Sequence, residues 1–277
     1  MDYKTILVHL DAGKRVEQRI KIATQFAGTF DAHLTGLFAL STPRIPSYAL
    51  AEAGTVVAEA EARYRAEAVR NVQATFATAT QQTSRGCEFR ASARDALAAV
   101  QLSARYADLV IVGQYDPENS SGVDRIFIEE LVLTAGRPVL IVPYAGRFSE
   151  VGRRVLVAWN AGQEAARAVT DALPLLARAS NVHVVAFDPR KGGSDHGDIP
   201  GADIALVLAR HGVKVTVAQQ QSDDIDVGNQ ILSRAADMQS DLIVMGAYGH
   251  SRWRELILGG VTRTLLDTMT VPVLMSH

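Results

Sequence analysis

The sequence predicts an α/β protein built from two tandem doubly wound five-strand parallel sheets. In each half, short apolar runs alternate with longer amphipathic runs, the pattern of strands and helices in a parallel sheet. The chain also repeats itself: ADLVIVGQY at 107–115 resembles SDLIVMGAY at 240–248, and GRPVLIVP at 136–143 resembles TVPVLMSH at 270–277. With 277 residues, the chain is longer than most single domains, so a duplicated domain explains these observations.

The repeat sets the boundaries of the two units. YKTILVHLDAG near the start resembles RRVLVAWNAG at 153–162, an offset of 149 residues, whereas matching Asp108 to Asp241 gives 133, so the second copy is shorter by 16. We assign the extra residues to the Ala- and Glu-rich helical segment around 47–73. The predicted domains are residues 1–147 and 151–277, joined near PYAGRFSEVGRR, where Gly, Pro and charged residues interrupt the pattern.

Individual elements are clearest in the second copy. Almost continuous apolar character predicts strands buried on both faces, and helical spacing predicts helices, of which the middle one closes at Gly212. The predicted strands are VLVAW, VHVVAF, VKVTVA, LIVMG and VPVLM, and the predicted helices are EAARAVTDALPLLARA, GADIALVLARHG and VGNQILSRAADM.

Composition excludes several classes of protein. The formal net charge of −2 gives no electrostatic reason to expect binding to nucleic acid or to an anionic membrane. The single cysteine, Cys87, cannot form an internal disulfide or a thiolate zinc cluster. The apolar run at the N-terminus is too short for a signal sequence or a membrane span, so we expect a soluble cytoplasmic protein.

One glycine-rich segment stands out, GAYGHSRWRELILGG at 246–260. It follows a predicted buried strand and precedes a predicted helix beginning near Gly260 or Val261. The first turn of such a helix presents free backbone N–H groups and the positive end of the helix dipole. This arrangement suits an anion, most often phosphate, and the Thr262 hydroxyl can add a hydrogen bond.

The segment is not one of the common phosphate loops. The chain contains no G-x-x-x-x-G-K-[ST] sequence, and no G-x-G-x-x-G follows the first strand of either half. A kinase or Walker-type ATPase is therefore not expected.

The spacing Gly246-x2-Gly249-x9-Gly259, followed by Gly260-Val261-Thr262 and a terminal VPVLM strand, resembles the ATP-binding motif of the universal stress protein family. The resemblance extends over the whole chain as two tandem copies. It implies a Rossmann-like fold of the adenine nucleotide alpha hydrolase-like type, with strand order 3-2-1-4-5 in each unit. It also implies that ATP or AMP, with or without Mg, binds between the end of strand one and the glycine loop.

The resemblance also implies the site residues of the second copy, and two of them depart from the family pattern. Asn160 stands where the family has an acidic residue, and Gly260 stands where it usually has Ser or Thr. An Asn retains an acceptor and a donor, and Gly costs little at a helix N-cap. The implied nucleotide-binding residues are Ala158, Asn160, Phe187, Met245, Gly246, Gly249, His250, Gly259, Gly260, Val261 and Thr262.

The first copy matches this motif less well. Asp11 occupies the acidic position, but the glycines of the corresponding region, at 113, 122 and 136, lack the required spacing. Asp116, Glu118 and Asp124 would oppose a phosphate there. We predict that the first half has no canonical nucleotide site and serves as a structural partner.

Other interpretations of these residues remain open. The glycines could simply form a tight connection between strand and helix, and Asn160 or Asp11 could be a turn or capping residue. His250, Arg252 and Arg254 could contact phosphate or be ordinary exposed residues, and packing is the expected role of Trp253.

We assign ordinary structural roles to the remaining polar residues. Asp195, His196 and Asp198 could suggest a metal site, but flexible loops often have this composition, so we expect no protein metal site. Glu164 and Asp171 are interpreted as part of a solvated helix face. Cys87 has no neighbouring basic residue in the sequence and is expected to be inert.

We expect a stress-response protein with a regulatory or interaction role, whose second domain binds an adenine nucleotide and acts as a switch for an unknown protein partner. The resemblance implies an internal pseudo-dimer joined through the last strands, at 139–143 and 271–275, and leaves a further homodimer open. Two alternatives remain, a slow ATP hydrolase and an interaction scaffold that binds no nucleotide. Hydrolysis would need a metal and cationic side chains, and no acidic metal-binding residue is evident at the loop, so no catalytic residue is assigned.

Overall fold

Strands and helices alternate along the part of the chain that the computed structural model describes, which comprises residues 2–41, 47–81, 83, 86–118, 123–188, 199–221, 224–249 and 260–277. The first half contains β1 (Thr5–Leu10), α1 (Val16–Phe30), β2 (His33–Phe38), α2 (Ser47–Thr80), β3 (Cys87–Ala91), α3 (Ala96–Ala104), β4 (Leu109–Gly113), α4 (Arg125–Thr134) and β5 (Val139–Val142). The second half contains β6 (Arg154–Trp159), α5 (Gln163–Leu176), β7 (Asn181–Phe187), α6 (Ala202–Arg210), β8 (Val215–Gln220), α7 (Val227–Asp237), β9 (Leu242–Gly246), α8 (Gly260–Thr268) and β10 (Val273–Ser276).

The strands form one ten-stranded sheet in the order β3-β2-β1-β4-β5-β10-β9-β6-β7-β8. Within each half the order is 3-2-1-4-5 and all neighbours are parallel, which confirms the predicted fold class. The halves meet where β10 pairs antiparallel with β5, with Leu274 opposite Leu140. The last strands of the two units therefore join them within one chain.

Burial along the strands follows their place in the sheet. Strands β4, β5 and β10 are buried throughout because helices cover both faces and other strands flank both sides. The prediction of two buried faces is wrong for β8, all of whose residues are exposed or only partly buried. This strand lies at the edge of the sheet, where no further strand flanks it on one side.

Local sequence explains where several elements begin and end. The carboxylates of Asp95, Asp124 and Asp226 accept backbone N–H groups at the starts of α3, α4 and α7, as N-caps do. Gly212, with φ +77°, follows the end of α6 in the left-handed conformation that the sequence predicted. Strand β10 begins after Pro272, which has no N–H, although its carbonyl still accepts from Ile243.

The difference in length between the copies lies in one helix. Helix α2 has 34 residues, whereas α6, which occupies the same place in the second half, has 9. Ala68, Val72 and Phe76 of α2, spaced four residues apart, are buried on one face. The prediction of a helical extension in the first copy is therefore confirmed.

An aspartate carboxylate holds the amino end of the first strand in each half. Asp108 accepts the backbone N–H groups of Lys4 and Thr5 next to β1, at 2.7 and 2.9 Å. Asp241, its counterpart in the sequence repeat, accepts those of Gly152 and Arg154 next to β6, at 2.8 and 3.1 Å. The repeat thus extends to how each half fixes its first strand to its fourth.

Polar contacts between the halves accompany the strand pairing. Gln114 donates from Nε2 to the carbonyl of Leu266 at 2.8 Å in a buried environment. The hydroxyl of Tyr3 donates to the carbonyl of Asp171 at 2.6 Å, and both apolar core clusters contain residues of both halves. The described helices include none that is long and apolar enough to cross a membrane.

Candidate functional site

The glycine segment begins at the carboxyl end of a central strand. Strand β9 lies next to β6, with Met245 opposite Ala158, so Gly246 and Asn160 come from neighbouring strand ends. Phe187 ends β7, on the other side of β6. Met245 belongs to one apolar cluster and Ala158, Phe187 and Val261 pack against it, so the structure places these four predicted residues on the same face of the sheet.

Gly246 is required by a close approach of two backbones. A Cβ at this position would lie 2.4 Å from the backbone nitrogen of Ala165 and 2.5 Å from the carbonyl carbon of Glu164. Both atoms belong to the first turn of α5, which runs directly past the end of β9. A side chain here would push the helix away from the sheet.

Asn160 forms a turn at the end of β6. Its Oδ1 accepts the backbone N–H of Gly162 at 2.9 Å, an Asx turn. Asp11, its counterpart in the first half, accepts the N–H of Gly13 at the same distance. The alternative interpretation of both residues as turn formers is thus consistent with the geometry. The Asn160 amide Nδ2 lies 3.6 Å from where a Cβ of Gly249 would stand.

Glu164 lies against the glycine loop rather than on a solvated face. Its Oε2 lies 2.9 Å from where a Cβ of Gly249 would stand and 3.2 Å from that of Gly162. Sequence reasoning missed this position because a charged residue in the first turn of a helix usually faces water.

The helix that follows the loop begins as predicted. Helix α8 starts at Gly260, where a Cβ would meet nothing within 4 Å. Thr262 is buried, and its hydroxyl oxygen accepts the backbone N–H of Tyr248 at 3.4 Å, connecting the helix's first turn to the strand end. Tyr248 has φ +61°, a conformation that costs a non-glycine residue energy and concentrates at functional sites.

Several predicted residues lie outside the described part of the chain. These are the site residues His250 and Gly259, the basic and aromatic residues Arg252, Trp253 and Arg254, and the three residues considered for a metal, Asp195, His196 and Asp198.

In the first half, the equivalent crevice is filled by an ion pair. Arg19 Nη2 lies 2.7 Å from Asp11 Oδ1, and the two residues are 4% and 3% exposed. The Arg19 guanidinium also covers Gly113, where a Cβ would lie 2.0 Å from Nη1. What remains is a cavity of about 20 Å³, enough for a water molecule but not for a nucleotide.

The repeat shows why the second half differs. At the offset of 149, the counterpart of Arg19 is Ala168, which is too short to reach the strand end. Arg19 was missed in the sequence because its partner lies eight residues away and the pairing depends on the fold. Asp124 caps α4, and Asp116 accepts the N–H of Glu118, so both acids have local structural roles.

Charge and burial shift the pKa values of two buried side chains in the first half, Asp11 and His9. Burial would raise the pKa of Asp11, but the Arg19 guanidinium, His9 and the Gly13 N–H outweigh it and lower the pKa. Burial lowers the pKa of His9 to about 4, so its ring is neutral at neutral pH. Because Nε2 lies 2.9 Å from the carbonyl oxygen of Ala39, we infer that this nitrogen carries the proton.

Comparison with known proteins agrees with this architecture. The model of the universal stress protein family matches residues 152–277. A universal stress protein from Archaeoglobus fulgidus DSM 4304 aligns with 98% of this chain and 97% of that chain, at 16% identity and a TM-score of 0.71. A protein of unknown function from Pseudomonas aeruginosa PAO1 aligns with 99% of this chain and 92% of that chain, at 16% identity and a TM-score of 0.59.

A search among curated proteins gave no match. At 16% identity, the structural alignments establish the shared fold, whereas the family match rests on sequence. Residues 152–277 therefore match the universal stress protein family in sequence, and the two-unit fold of the whole chain is similar to that of a solved universal stress protein.

Proposed function

We propose that the second half of this protein binds an adenine nucleotide, ATP or AMP, at the crevice between β6, β9 and the start of α8. The observation that supports this most directly is the close backbone approach at Gly246, which requires a glycine at the strand end that lies next to that of Asn160. Helix α8 then begins near this strand end, to which Thr262 connects it. Its free N–H groups suit the phosphates.

We assign different parts of the ligand to different residues. Phe187, Ala158 and Met245 provide the apolar surface for the base, and Asn160 and Gly246 lie where the ribose would meet the strand ends. Gly249, His250, Gly259, Gly260, Val261 and Thr262 are proposed to meet the phosphates. Asn160 Oδ1 accepts the Gly162 N–H, so its amide hydrogens and the second lone pair of the oxygen are the groups that it can offer to the ligand.

The two halves have unequal roles in this proposal. Residues 1–147 form a domain without a nucleotide site, because Arg19 and Asp11 fill its crevice. Residues 151–277 form the ligand-binding domain. We expect the nucleotide to act as a switch for a protein partner in a cytoplasmic stress response.

Nucleotide carried through purification provides the first test. The protein is denatured, and the supernatant is analysed by mass spectrometry for ATP, ADP and AMP. Titration calorimetry with ATP and AMP on nucleotide-free protein then measures affinity, and we expect binding of one nucleotide per chain. Absence of both co-purified nucleotide and binding heat would refute the proposal.

Two variants test whether the nucleotide binds in the second half. Ala168→Arg places in the second half the arginine that fills the first-half crevice, and we expect it to abolish binding. Gly113→Ala is the control in the first half, where we expect any structural disturbance to leave nucleotide binding unchanged. Equal loss of binding in both variants would argue against a site in the second half.

A further inference from the structure

Two buried polar atoms near the joint between the halves have no hydrogen-bond partner in the part of the chain that the structure describes. They are the hydroxyl oxygen of Tyr248, at the start of the glycine loop in the second half, and Oε1 of Glu129, on α4 of the first half. Glu129 is only 8% exposed. Because buried polar atoms are nearly always hydrogen-bonded, we expect each of these two to have a partner.

The packing of α4 against α8 places the two groups near each other. Arg125, at the start of α4, pairs with Asp267 near the end of α8, with Nη2 and Oδ1 2.6 Å apart. The helices run in opposite directions, because the strands that follow them, β5 and β10, are antiparallel. Glu129 lies one turn after Arg125, so it faces the first turn of α8. The same turn contains Thr262, whose hydroxyl oxygen accepts the Tyr248 N–H.

Apolar packing and charge agree with this placement. Tyr248 packs against the apolar cluster that contains Phe127 and Leu131 of α4. Burial raises the pKa of the Tyr248 hydroxyl, and the charge of Glu129 raises it further, so the two side chains interact across the joint. A tyrosine hydroxyl can donate to a carboxylate oxygen, either directly or through one water molecule.

The sequence repeat gives this acid an opposite charge in the other half. Tyr115 is the counterpart of Tyr248 at the offset of 133, so a tyrosine follows the fourth strand in both halves. The last strands, GRPVLIVP at 136 and TVPVLMSH at 270, set an offset of 134, and the counterpart of Glu129 is therefore Arg263. A guanidinium cannot accept a hydrogen bond. The acceptor thus lies beside the tyrosine of the half that carries the glycine motif.

We propose that Glu129 is a positioning residue for the second-half nucleotide site, because its carboxylate accepts the Tyr248 hydroxyl and holds the turn at which the glycine loop begins. Tyr248 has φ +61°, a conformation that persists where the surrounding structure fixes it, and Gly249 follows it directly. The proposal rests on the proposed nucleotide-binding function. It gives the first half, whose own crevice is filled by an ion pair, a part in ligand binding.

Calorimetric titration of ATP into variants of the full-length protein tests this as a double-mutant cycle. Tyr248→Phe removes the hydroxyl, and Glu129→Met removes the carboxylate at similar size. We expect each to weaken ATP affinity by about three- to tenfold, the scale of one hydrogen bond. The double variant should bind no more weakly than the weaker single variant, because both changes remove the same contact. Glu129→Gln, which keeps an acceptor oxygen, should retain the wild-type affinity.

The matched controls are Tyr115→Phe, at the equivalent position of the first half, and Glu130→Met, at the exposed neighbour of Glu129 on α4. Both should bind ATP as the wild type does. Hydrogen exchange in the absence of nucleotide reports on the turn itself. We expect the Tyr248 backbone amide to exchange faster in Glu129→Met while the amides of β1 exchange as in the wild type, which separates local loosening from global unfolding.

The outcomes distinguish this inference from the proposed function. If the wild type binds ATP and both single variants keep its affinity, or if their losses add in the double variant, the inference is wrong while nucleotide binding stands. Unchanged exchange of the Tyr248 amide in Glu129→Met would overturn it as well, whether or not ATP binds. If the wild type binds no ATP, the proposed function fails, and the role of Glu129 in binding fails with it.

Discussion

A single ion pair fills the crevice of the first half. Arg19 and Ala168 occupy equivalent positions in the repeat, and the first reaches Asp11 while the second ends short of the strand edge. Glu164 and Arg15 are likewise equivalent and carry opposite charges. The two units therefore share a backbone plan and differ in the electrostatics at the carboxyl ends of their strands.

Removing the Arg19 guanidinium from the first-half crevice should lower the free energy of unfolding. Arg19→Ala leaves the Asp11 carboxylate buried without its partner, a change that typically costs about 3–5 kcal/mol in free energy of unfolding. Adding Asp11→Asn to Arg19→Ala should recover part of that loss, because no charge then remains buried. Urea denaturation measures the free energy of unfolding of the single and the double variant. The control is Arg15→Ala, which changes an exposed residue and should unfold within about 0.5 kcal/mol of the wild type.

His9 should make the protein sensitive to mild acid. Its folded-state pKa of about 4 lies below the ordinary value of 6.5, so between these values the unfolded chain binds a proton that the folded chain does not. Its contribution is fully present above pH 6.5 and is lost as the pH falls toward 4. From about pH 7 to about pH 5 we expect a loss of about 2 kcal/mol.

Urea denaturation of His9→Gln at the same two pH values provides the comparison, with exposed His211→Gln as the control. The first variant should lose most of this pH dependence, and the second should retain it. Asp11, whose lowered pKa also stabilises the folded state, adds to the loss only near and below its ordinary value of 3.8. An unchanged pH dependence in His9→Gln would contradict the assignment.

At the scale of elements, the site depends on how closely helix α5 approaches the end of strand β9. That contact is between backbones, so no rotamer change can relieve an added side chain. The start of α8, in contrast, is open around Gly260. Two glycines of the same sequence motif thus have different structural requirements.

These two glycines give a matched pair of substitutions. Gly246→Ala should lower stability by about 1–3 kcal/mol through overpacking and reduce nucleotide affinity. Gly260→Ala should leave stability unchanged or raise it slightly, because Ala has the better helix propensity. Thermal unfolding and ATP titration of both variants would check this, and similar behaviour of the two would show that the backbone contact at Gly246 is not decisive.

At the scale of the whole molecule, the halves form one structure. The sheet is continuous through β5 and β10, and apolar clusters on both of its faces include residues from each half. Gln114 and Leu266 add a buried hydrogen bond across the joint. Such coupling favours a single cooperative unfolding transition over two independent ones.

The position of the tryptophans allows this cooperativity to be measured. Both, Trp159 and Trp253, belong to the second half, so their fluorescence reports on that half, whereas far-UV circular dichroism reports on the whole chain. We expect the two signals to give the same urea midpoint. Gln114→Ala, made in the first half, should lower both midpoints together, and a shift in circular dichroism alone would indicate separate unfolding.

Much of this architecture could be predicted from the sequence, because parallel strands that are buried on both faces appear in it as continuous runs of apolar residues. LIVMG at 242–246 coincides with β9, and the repeat led to the tandem arrangement and to the crevice. The exposure of β8 could not be read because it depends on the strand's place at the edge of the sheet. Glu164 and Arg19 were missed because their roles depend on contacts that only the folded chain creates.

The antiparallel pairing of β5 with β10 has a consequence for how the two crevices could diverge. In an assembly of two identical chains, any substitution changes both crevices at once, so closing one closes the other. Joining the units covalently removes that constraint, since each position is encoded separately. One copy thus carries the Arg19–Asp11 ion pair and the other the acidic Glu164, while the antiparallel pairing of their last strands keeps the two units in a symmetric arrangement within the sheet.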